Sequence, residues 1–407
     1  MNTNTSNKHL TFAHNVSIKR HGILRLTPAY SAKLVNEILD SRVNPRRLLD
    51  PYCGTATTAL SGGQRGLDSY TMDINPFLIW LGNAKTRNYS KKSIELSITE
   101  STKMINGLSD KNVNADMMLP DIFNIDRWWS RGALYVLSEI KRYIDYCGLD
   151  CNSIDIIKLA FCRTIISTSN AAFNHQSMSF KDEISTDTYS QSVNKSINQF
   201  KDDLEHVSSA LLEDVLLPPN VILADAREVH KHISLPIDTV ITSPPYPNRM
   251  SYIRELRPYM YWLGFLKESQ DAADLDWIAI GGTWGSATSK AGKWKADKDY
   301  YSPSRLEIAL KLIEDTNEKN SYLLANYIRK YFYDIWTHLN SLLCVLAQSY
   351  EINYIVGNST YYGVLLDVEE VFADMMREIN MGKIEVKTIR KRNSKKELYE
   401  YVVSATK

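Results

Sequence analysis

The chain has 407 residues, enough to bury one large core or two ordinary ones. Its 48 Lys plus Arg stand against 47 Asp plus Glu, a net charge of +1 that argues against a protein that merely coats nucleic acid and leaves room for a basic cleft on a neutral surface. Five cysteines, a polar opening stretch (Met1–Thr11) and the lack of an apolar run long enough to span a bilayer exclude a disulfide scaffold, a secretory leader and a membrane protein as readings, and point to a cytoplasmic setting.

Residues 1–12 read as a disordered N-terminus. Thr27-Pro28 reads as an N-cap with a first-turn proline, opening an amphipathic helix from Ala29 to Leu39. The strand Arg46 to Asp50 then runs into the turn Pro51-Tyr52-Cys53-Gly54, and a short helix follows from Thr55 to Gln64. Ser69 to Asp73, Val221 to Asp225, Asp238 to Thr242 and Ile352 to Val356 are further runs of β-branched and apolar residues, each closed by polar or turn-forming residues, as buried parallel strands are. Ile328, Phe332, Ile335, Leu339, Leu342 and Leu346 keep helical spacing, and Val364 to Ile379 does so more weakly. The tail, Ile384 to Ile389 and Leu398 to Val403, alternates like an antiparallel hairpin.

Alternating strands and helices predict an α/β fold, a doubly wound and mostly parallel sheet that binds ligands at the carboxyl ends of its strands. Two stretches stand outside the alternation. Residues 90–217 look mostly helical, with Ile157, Phe161, Thr164 and Ile165 on one face, and residues 265–322 form a second insertion. Insertions of that length in a compact fold usually carry function.

Two short segments carry chemistry. In Asp50-Pro51-Tyr52-Cys53-Gly54-Thr55, a strand ending in Asp and a glycine turn lead into a helix, which brings backbone N–H groups near a ligand. The spacing is not Gly-x-Gly-x-x-Gly, so a nicotinamide dinucleotide is disfavoured. Asp73, some 20 residues on, sits where an acidic side chain takes ribose hydroxyls, or else caps its own turn. Asp225 either accepts from an adenine amino group or serves turn chemistry. The second segment is Thr242-Ser243-Pro244-Pro245-Tyr246. Consecutive prolines after a strand make a rigid turn, which fixes the Ser243 hydroxyl, the Pro244 carbonyl and the Tyr246 ring in one geometry. A planar amino group needs such in-plane acceptors and a ring to stack on.

These segments resemble those of the amino-group DNA methyltransferases. Asp50 to Thr55 is similar to their Asp-Pro-Phe-x-Gly-x-Gly motif, although Ala56 and Thr57 stand where the second glycine is usual. Ser243 to Tyr246 is similar to their catalytic (Asp/Asn/Ser)-Pro-Pro-Tyr motif, in the Ser form more typical of cytosine-N4 enzymes. The likeness covers roughly residues 20–88 and 219–262, and 350–404 more loosely. It implies a Rossmann-like class I fold dependent on S-adenosylmethionine (AdoMet), with a discontinuous catalytic domain (13–89 and 218–407) and no metal. Asp50, Pro51, Tyr52, Cys53, Gly54 and Thr55 would hold AdoMet, with Thr27 and Pro28 at its carboxylate, Asp73 at its ribose and Asp225 at its adenine. Double-stranded DNA would be the partner, with a flipped cytosine at Ser243, Pro244, Pro245 and Tyr246, in a restriction-modification or related system, with or without a paired cognate endonuclease. Adenine-N6 transfer, an RNA amino-group methyltransferase and an inactive DNA-binding subunit are the rival readings. Ring-carbon methylation of cytosine falls, because it needs a cysteine typically placed after proline and the chain has no Pro-Cys pair.

Only about a dozen residues separate the third strand from the catalytic segment, so target recognition is expected from the insertions. Arg249, Arg254 and Arg257 are candidates for phosphate contact, the alternative being a solvated face. Lys290, Lys293, Trp294 and Lys295 suit a DNA-facing loop or a plain solvated one. Asn170, Asn174, His175 and Gln176 suit base edges or turns. Cys147, Cys151 and Cys162 read as buried thiols rather than a metal site, Trp128-Trp129 as core, and His21 as a surface histidine.

Overall fold

The computed structural model describes residues 12–26, 30–108, 116–172, 179–181, 187–248, 251–282, 290, 292, 294–297, 300–392 and 397–407. One sheet organises them. Its strands are β1 (Arg47–Asp50), β2 (Asp68–Asp73), β3 (Asn220–Leu223), β4 (Ile237–Thr242), β5 (Leu346–Gly357), β6 (Lys383–Lys391) and β7 (Tyr399–Thr406), in the spatial order β3-β2-β1-β4-β5-β7-β6. The first five run parallel, and β7 is antiparallel to both β5 and β6. This is a doubly wound, Rossmann-like α/β architecture with a C-terminal antiparallel hairpin. The order reverses between β1 and β4, and such a switch point opens a crevice above the carboxyl ends.

Burial explains the composition of each strand. Leu48, Leu49, Val240 and Ile241 of the central strands are fully buried, which requires apolar residues on both faces. β3 is an edge strand, and Leu223 is 56% exposed there. Helix α1 (Ala32–Ser41) covers one face through Leu34, Val35 and Leu39 against Leu48, Ile241 and Ile355. On the opposite face α10 (Ser304–Asp315), α11 (Ser321–Leu343) and α12 (Val368–Glu378) pack on Leu49, Met72, Val240, Ile352 and Tyr354. Between these layers in the chain lie α2 (Thr57–Gln64) and α3 (Pro76–Thr86), each following its strand.

Residues 90–217 supply α4 (Lys91–Asn106), α5 (Arg131–Tyr146), α6 (Cys151–Ser167) and α7 (Tyr189–Leu211). They share one apolar cluster with α3 and α8 (Tyr252–Trp262), centred on Trp129, Phe161 and Trp262. The buried Arg20 side chain joins the end of α7 to the end of α3 by donating to the carbonyls of Lys85, Arg87, Leu211 and Glu213 at 2.6–3.1 Å. Residues 265–322 are only partly an insertion. Their α9 (Ser269–Ile278) lies beside α8, whereas α10 is built into the core through Leu306, Leu310 and Ile313.

Several expectations need correction. α1 starts at Ala32, where Ser31 accepts from the Lys33 N–H, and the expected cap Thr27-Pro28 lies outside the described residues. Leu346 opens β5 instead of closing α11, because the chain turns at Cys344–Val345 and Ile237 pairs with the Val345 carbonyl. Val364–Leu366 pairs with Ser359–Tyr361 before α12 begins. Cys162 is buried, but Cys151 is exposed at the first turn of α6. His21 is also buried, within 3.3 Å of Gln64 Oε1, and burial pushes its imidazole down to about 3. Trp129 is core as expected, donating to the Ile165 carbonyl at 2.8 Å. Of the expected disordered residues 1–12, only Phe12 is described, and it opens a helical turn, Phe12–Asn15. No helix among the described residues is long and apolar enough to cross a membrane.

Candidate active site

A cavity of about 180 Å³ opens at the switch point. One half of its wall comes from the ends of β1, β2 and β3: Pro51, Tyr52, Gly54, Thr55, Asp73 and Asp225. The other half comes from the ends of β4, β5 and the hairpin: Ser243, Pro244, Pro245, Tyr246, Ile355, Arg390 and Glu400. The two short sequence segments, nearly 190 residues apart, therefore meet in one cleft.

Asp50 lies beneath the first half and does not line it. Its carboxylate accepts from Thr242 Oγ1 at 2.6 Å, the Tyr52 N–H at 3.1 Å and Tyr30 Oη at 2.9 Å. Burial raises the carboxyl to about 7, although these three donors oppose the rise. Asp50 thus ties the end of β1 to the end of β4 and holds the two wall segments in register. Cys53 likewise points away from the cavity, packing where α3 comes close at Gly82.

Gly54 adopts φ +49°, a left-handed conformation natural to glycine. Ala56, at the position of the missing second glycine, is held at φ +57°. That strain costs roughly 1–2 kcal/mol for an L-residue, and the packed turn sustains it. Lys85, fully buried, supports the turn from below by donating to the Thr55 carbonyl at 2.6 Å, and burial pushes its ammonium down to about 8.

Asp73 faces the cavity. It accepts from the Asn75 N–H at 2.9 Å and the Gly54 N–H at 3.4 Å, and burial raises it to about 6. Tyr52 sits edge-on to His338 (5.1 Å between ring centres), and its buried hydroxyl has no partner among the described residues. His338 is a structural histidine between the Ala226 carbonyl at 2.7 Å and Tyr354 Oη at 2.6 Å, and burial holds it neutral by pushing it down to about 4. Asp225 lies two residues past β3. It caps the Arg227 N–H at 2.8 Å, and the Arg227 guanidinium holds it at 2.5–3.1 Å while also reaching Asp334 at 2.9 Å. Burial works against ionisation of Asp225, but Arg227 wins and its carboxyl stays below the ordinary value.

The second half is built from a rigid turn. Ser243 Oγ donates its proton to the Ile355 carbonyl at 3.0 Å and also hydrogen-bonds the Tyr246 phenol, which leaves one lone pair of that oxygen as an acceptor at the cavity wall. The Tyr246 N–H donates to Tyr252 Oη at 2.9 Å, which fixes the end of the turn to the start of α8. The Tyr246 ring lies against Gly357, where a Cβ would stand 3.0 Å from Cε2, so glycine makes room for it. Burial, and then the charge of Glu400, push the Tyr246 phenol up.

The cavity brings together ten of the expected residues: Pro51, Tyr52, Gly54, Thr55, Asp73, Asp225, Ser243, Pro244, Pro245 and Tyr246. Thr27, Pro28, Arg249 and Lys293 lie outside the described residues, as do Asn174, His175 and Gln176. Arg254 is exposed on α8 and Arg257 is half-buried beside it. Neither lines the cavity, whereas Tyr252, Ile253 and Leu256 of the same helix do. Lys290 stands over the Trp277 ring at 5.4 Å, and Trp294 packs on Tyr333. Tyr30, Tyr252, Arg390 and Glu400 were not singled out from sequence. Only the aromatic placement of Tyr252, six residues after Tyr246, offered a local signal.

No protein-family model matches the chain. Two curated relatives match it over nearly all its length. Type II methyltransferase M.MvaI of Kocuria varians is 23% identical over 93% of this chain and 83% of that protein. Type II methyltransferase M.BsoBI of Geobacillus stearothermophilus is 20% identical over 98% of this chain and 86% of that protein. Among solved structures, the rRNA methyltransferase aviRa from Streptomyces viridochromogenes aligns with 97% of this chain and 96% of its own at 13% identity. The TM-score of that alignment is 0.29.

Proposed function

We propose that this distant homologue of Type II methyltransferases is a site-specific DNA methyltransferase that transfers a methyl group from AdoMet to N4 of a cytosine flipped out of the duplex. The observation that carries the reading is the Ser243 hydroxyl. Its proton is engaged by Ile355, so it meets an incoming amino group as an acceptor, in the same cleft as Asp73 and the Gly54 turn.

The residues of the first half fit AdoMet. The Tyr52 hydroxyl is buried and unpartnered among the described residues, and the Asp73 carboxylate is held by backbone N–H groups at the cavity wall. Asp73 would take the ribose hydroxyls, the Gly54-Thr55 turn would pass close to the donor, and Asp225 would stand at the adenine with its charge steadied by Arg227. When bound, AdoMet supplies an electrophilic methyl group on a sulfonium. In the second half, Ser243 Oγ and the Pro244 carbonyl accept the two N–H bonds of the amino group, which turns the nitrogen lone pair out of the base plane. The Tyr246 ring carries the face of the base, and the Tyr252 contact and Gly357 keep that ring in place. The pyramidalised nitrogen needs no cysteine nucleophile, in keeping with the chain's lack of a Pro-Cys pair. Cytosine is preferred to adenine because the segment begins with Ser243 rather than Asp. Arg254 and Arg257, on the helix that lines the cleft, are the proposed phosphate contacts.

Labelled AdoMet offered with unmethylated plasmid, and separately with total tRNA and rRNA, tests the substrate class. Label in the plasmid supports the proposal; label confined to RNA defeats it.

A further inference from the structure

We infer that the Arg390–Glu400 pair reads the acceptor edge of the target base and thereby selects cytosine. This deepens the proposed methyl transfer and rests on it.

The pair belongs to the hairpin, far in sequence from both wall segments, yet both side chains line the cavity. Arg390 on β6 and Glu400 on β7 are register partners, and the register shifts between Thr388 and Arg390. Such an irregularity re-aims the side chains that follow it, and it is frequent beside active sites. Glu400 is in turn the register partner of Gly357 on β5, the residue whose missing Cβ admits the Tyr246 ring. The pair therefore stands next to the ring on which the base is proposed to lie.

Its hydrogen bonds leave a defined part of the guanidinium unused. Arg390 Nε donates to Glu400 Oε2 at 2.7 Å, and Nη2 donates to Oε1 at 2.8 Å. This two-bond arrangement fixes the guanidinium plane. Among the described residues Nη1 has no hydrogen-bond partner, so the end-on fork, one N–H from Nη1 and one from Nη2, remains available. Both side chains are mostly buried, at 17% and 15% exposure, so this is a sheltered pair rather than a surface ion pair.

An end-on fork of two donors matches two adjacent acceptors. Beside its amino group cytosine presents N3 and then O2, both acceptors. Adenine presents N1 followed by C2–H, so one donor of the fork would lie unpaired against carbon. A buried donor without a partner discriminates strongly. Glu400 acts here as a positioning residue, holding the fork in plane, and Arg390 as the residue that touches the base.

The test uses the whole chain. The methylated sequence is first mapped on plasmid methylated by the wild type. Duplexes are then made with cytosine or 3-deazacytosine at the target, the latter lacking N3 while keeping O2 and the amino group. Wild type, Arg390→Lys and Glu400→Gln are compared by kcat/KM on both duplexes, and AdoMet affinity within twofold of wild type certifies the fold of each variant. Arg390→Lys keeps a cation for Glu400 but removes the fork. It is expected to lose roughly 10- to 100-fold on cytosine, and to show little further loss on 3-deazacytosine, whereas wild type falls by a similar factor between the two duplexes. Glu400→Gln should show a smaller loss that is likewise not multiplied by the analogue. Losses that multiply, or an Arg390→Lys variant as active as wild type on cytosine, overturn the inference while leaving the methyl-transfer reading intact. A wild type that methylates no plasmid overturns that reading and this inference with it.

Discussion

The two halves of the cleft are organised by different means. In the half formed by β1 to β3, polar groups are fixed within the segment from Gly54 to Lys85 or by immediate neighbours: Asp73 by the N–H groups of Gly54 and Asn75, the turn by Lys85 below it, and Asp225 by Arg227. In the half formed by β4 to β7, groups are also held from across the sheet: Ser243 by Ile355 and the Tyr246 ring by Gly357, both on β5, while Arg390 is held by Glu400 across the hairpin and the Tyr246 N–H by Tyr252. Asp50, through Thr242, is the joint between them. The first arrangement suits a ligand that is the same in every turnover. The second suits a site whose shape sets which base is accepted, since the shape can change at the hairpin without disturbing the first half.

That division is open to attack by substitution. Ser243→Ala and Tyr246→Ala act on the second half alone. Each should lower turnover at least about 100-fold, because slight misplacement of a reacting group already costs that much, while AdoMet affinity by calorimetry stays within twofold. A parallel loss of AdoMet binding would show that the halves are not separable. Asp73→Ala acts on the first half. Hydrogen bonds to a charged group are each worth about 1.5–3 kcal/mol, so AdoMet affinity should fall roughly 10- to 100-fold, with turnover at saturating AdoMet much less affected.

Asp50 tests the joint. Its carboxyl titrates at about 7 in the folded chain and near 3.8 unfolded, so between those values the native state holds a proton that the unfolded chain has released. Stability must therefore fall as pH rises through that window and level off above it. Asp50→Asn cannot titrate. Between about pH 5 and about pH 8 its stability in urea unfolding should decline less than that of wild type, by on the order of 2 kcal/mol. Part of the slope remains, because Asp73, raised to about 6, still titrates. An unchanged slope would mean that Asp50 is not the buried tie. The smallest effect is expected at Ala56. Relief of its left-handed strain, about 1–2 kcal/mol, is offset in Ala56→Gly by the loss of a buried methyl, about 0.8 kcal/mol, and by backbone entropy of about 0.5–1 kcal/mol. The net change in thermal stability should be close to zero.

Legibility in the sequence divides along the same line. The first half is written in contiguous residues: a strand, the turn Asp50 to Thr55, and a second strand ending at Asp73. Local pattern therefore located it, and the Pro-Pro turn at Ser243 was visible for the same reason. Local pattern did not show that Asp50 turns inward, since that depends on Thr242 and Tyr30 converging from other elements. Nor did it reveal Arg390 and Glu400. In a hairpin of mixed charges, which residues face the cleft is decided by cross-strand register after an irregularity, and one residue of slip would reverse it. His21 was misread because it is covered by groups remote in sequence, among them Gln64 at the end of α2, which local pattern does not reveal.

The central claim is methyl transfer to a cytosine amino group in this cleft. Its most direct test is nucleoside mass spectrometry of unmethylated plasmid after incubation with the protein and AdoMet. The expected product is N4-methyldeoxycytidine, absent when Ser243→Ala replaces the wild type. N6-methyldeoxyadenosine would contradict the assignment of the base, and a plasmid with no methylated nucleoside would contradict DNA methyl transfer altogether.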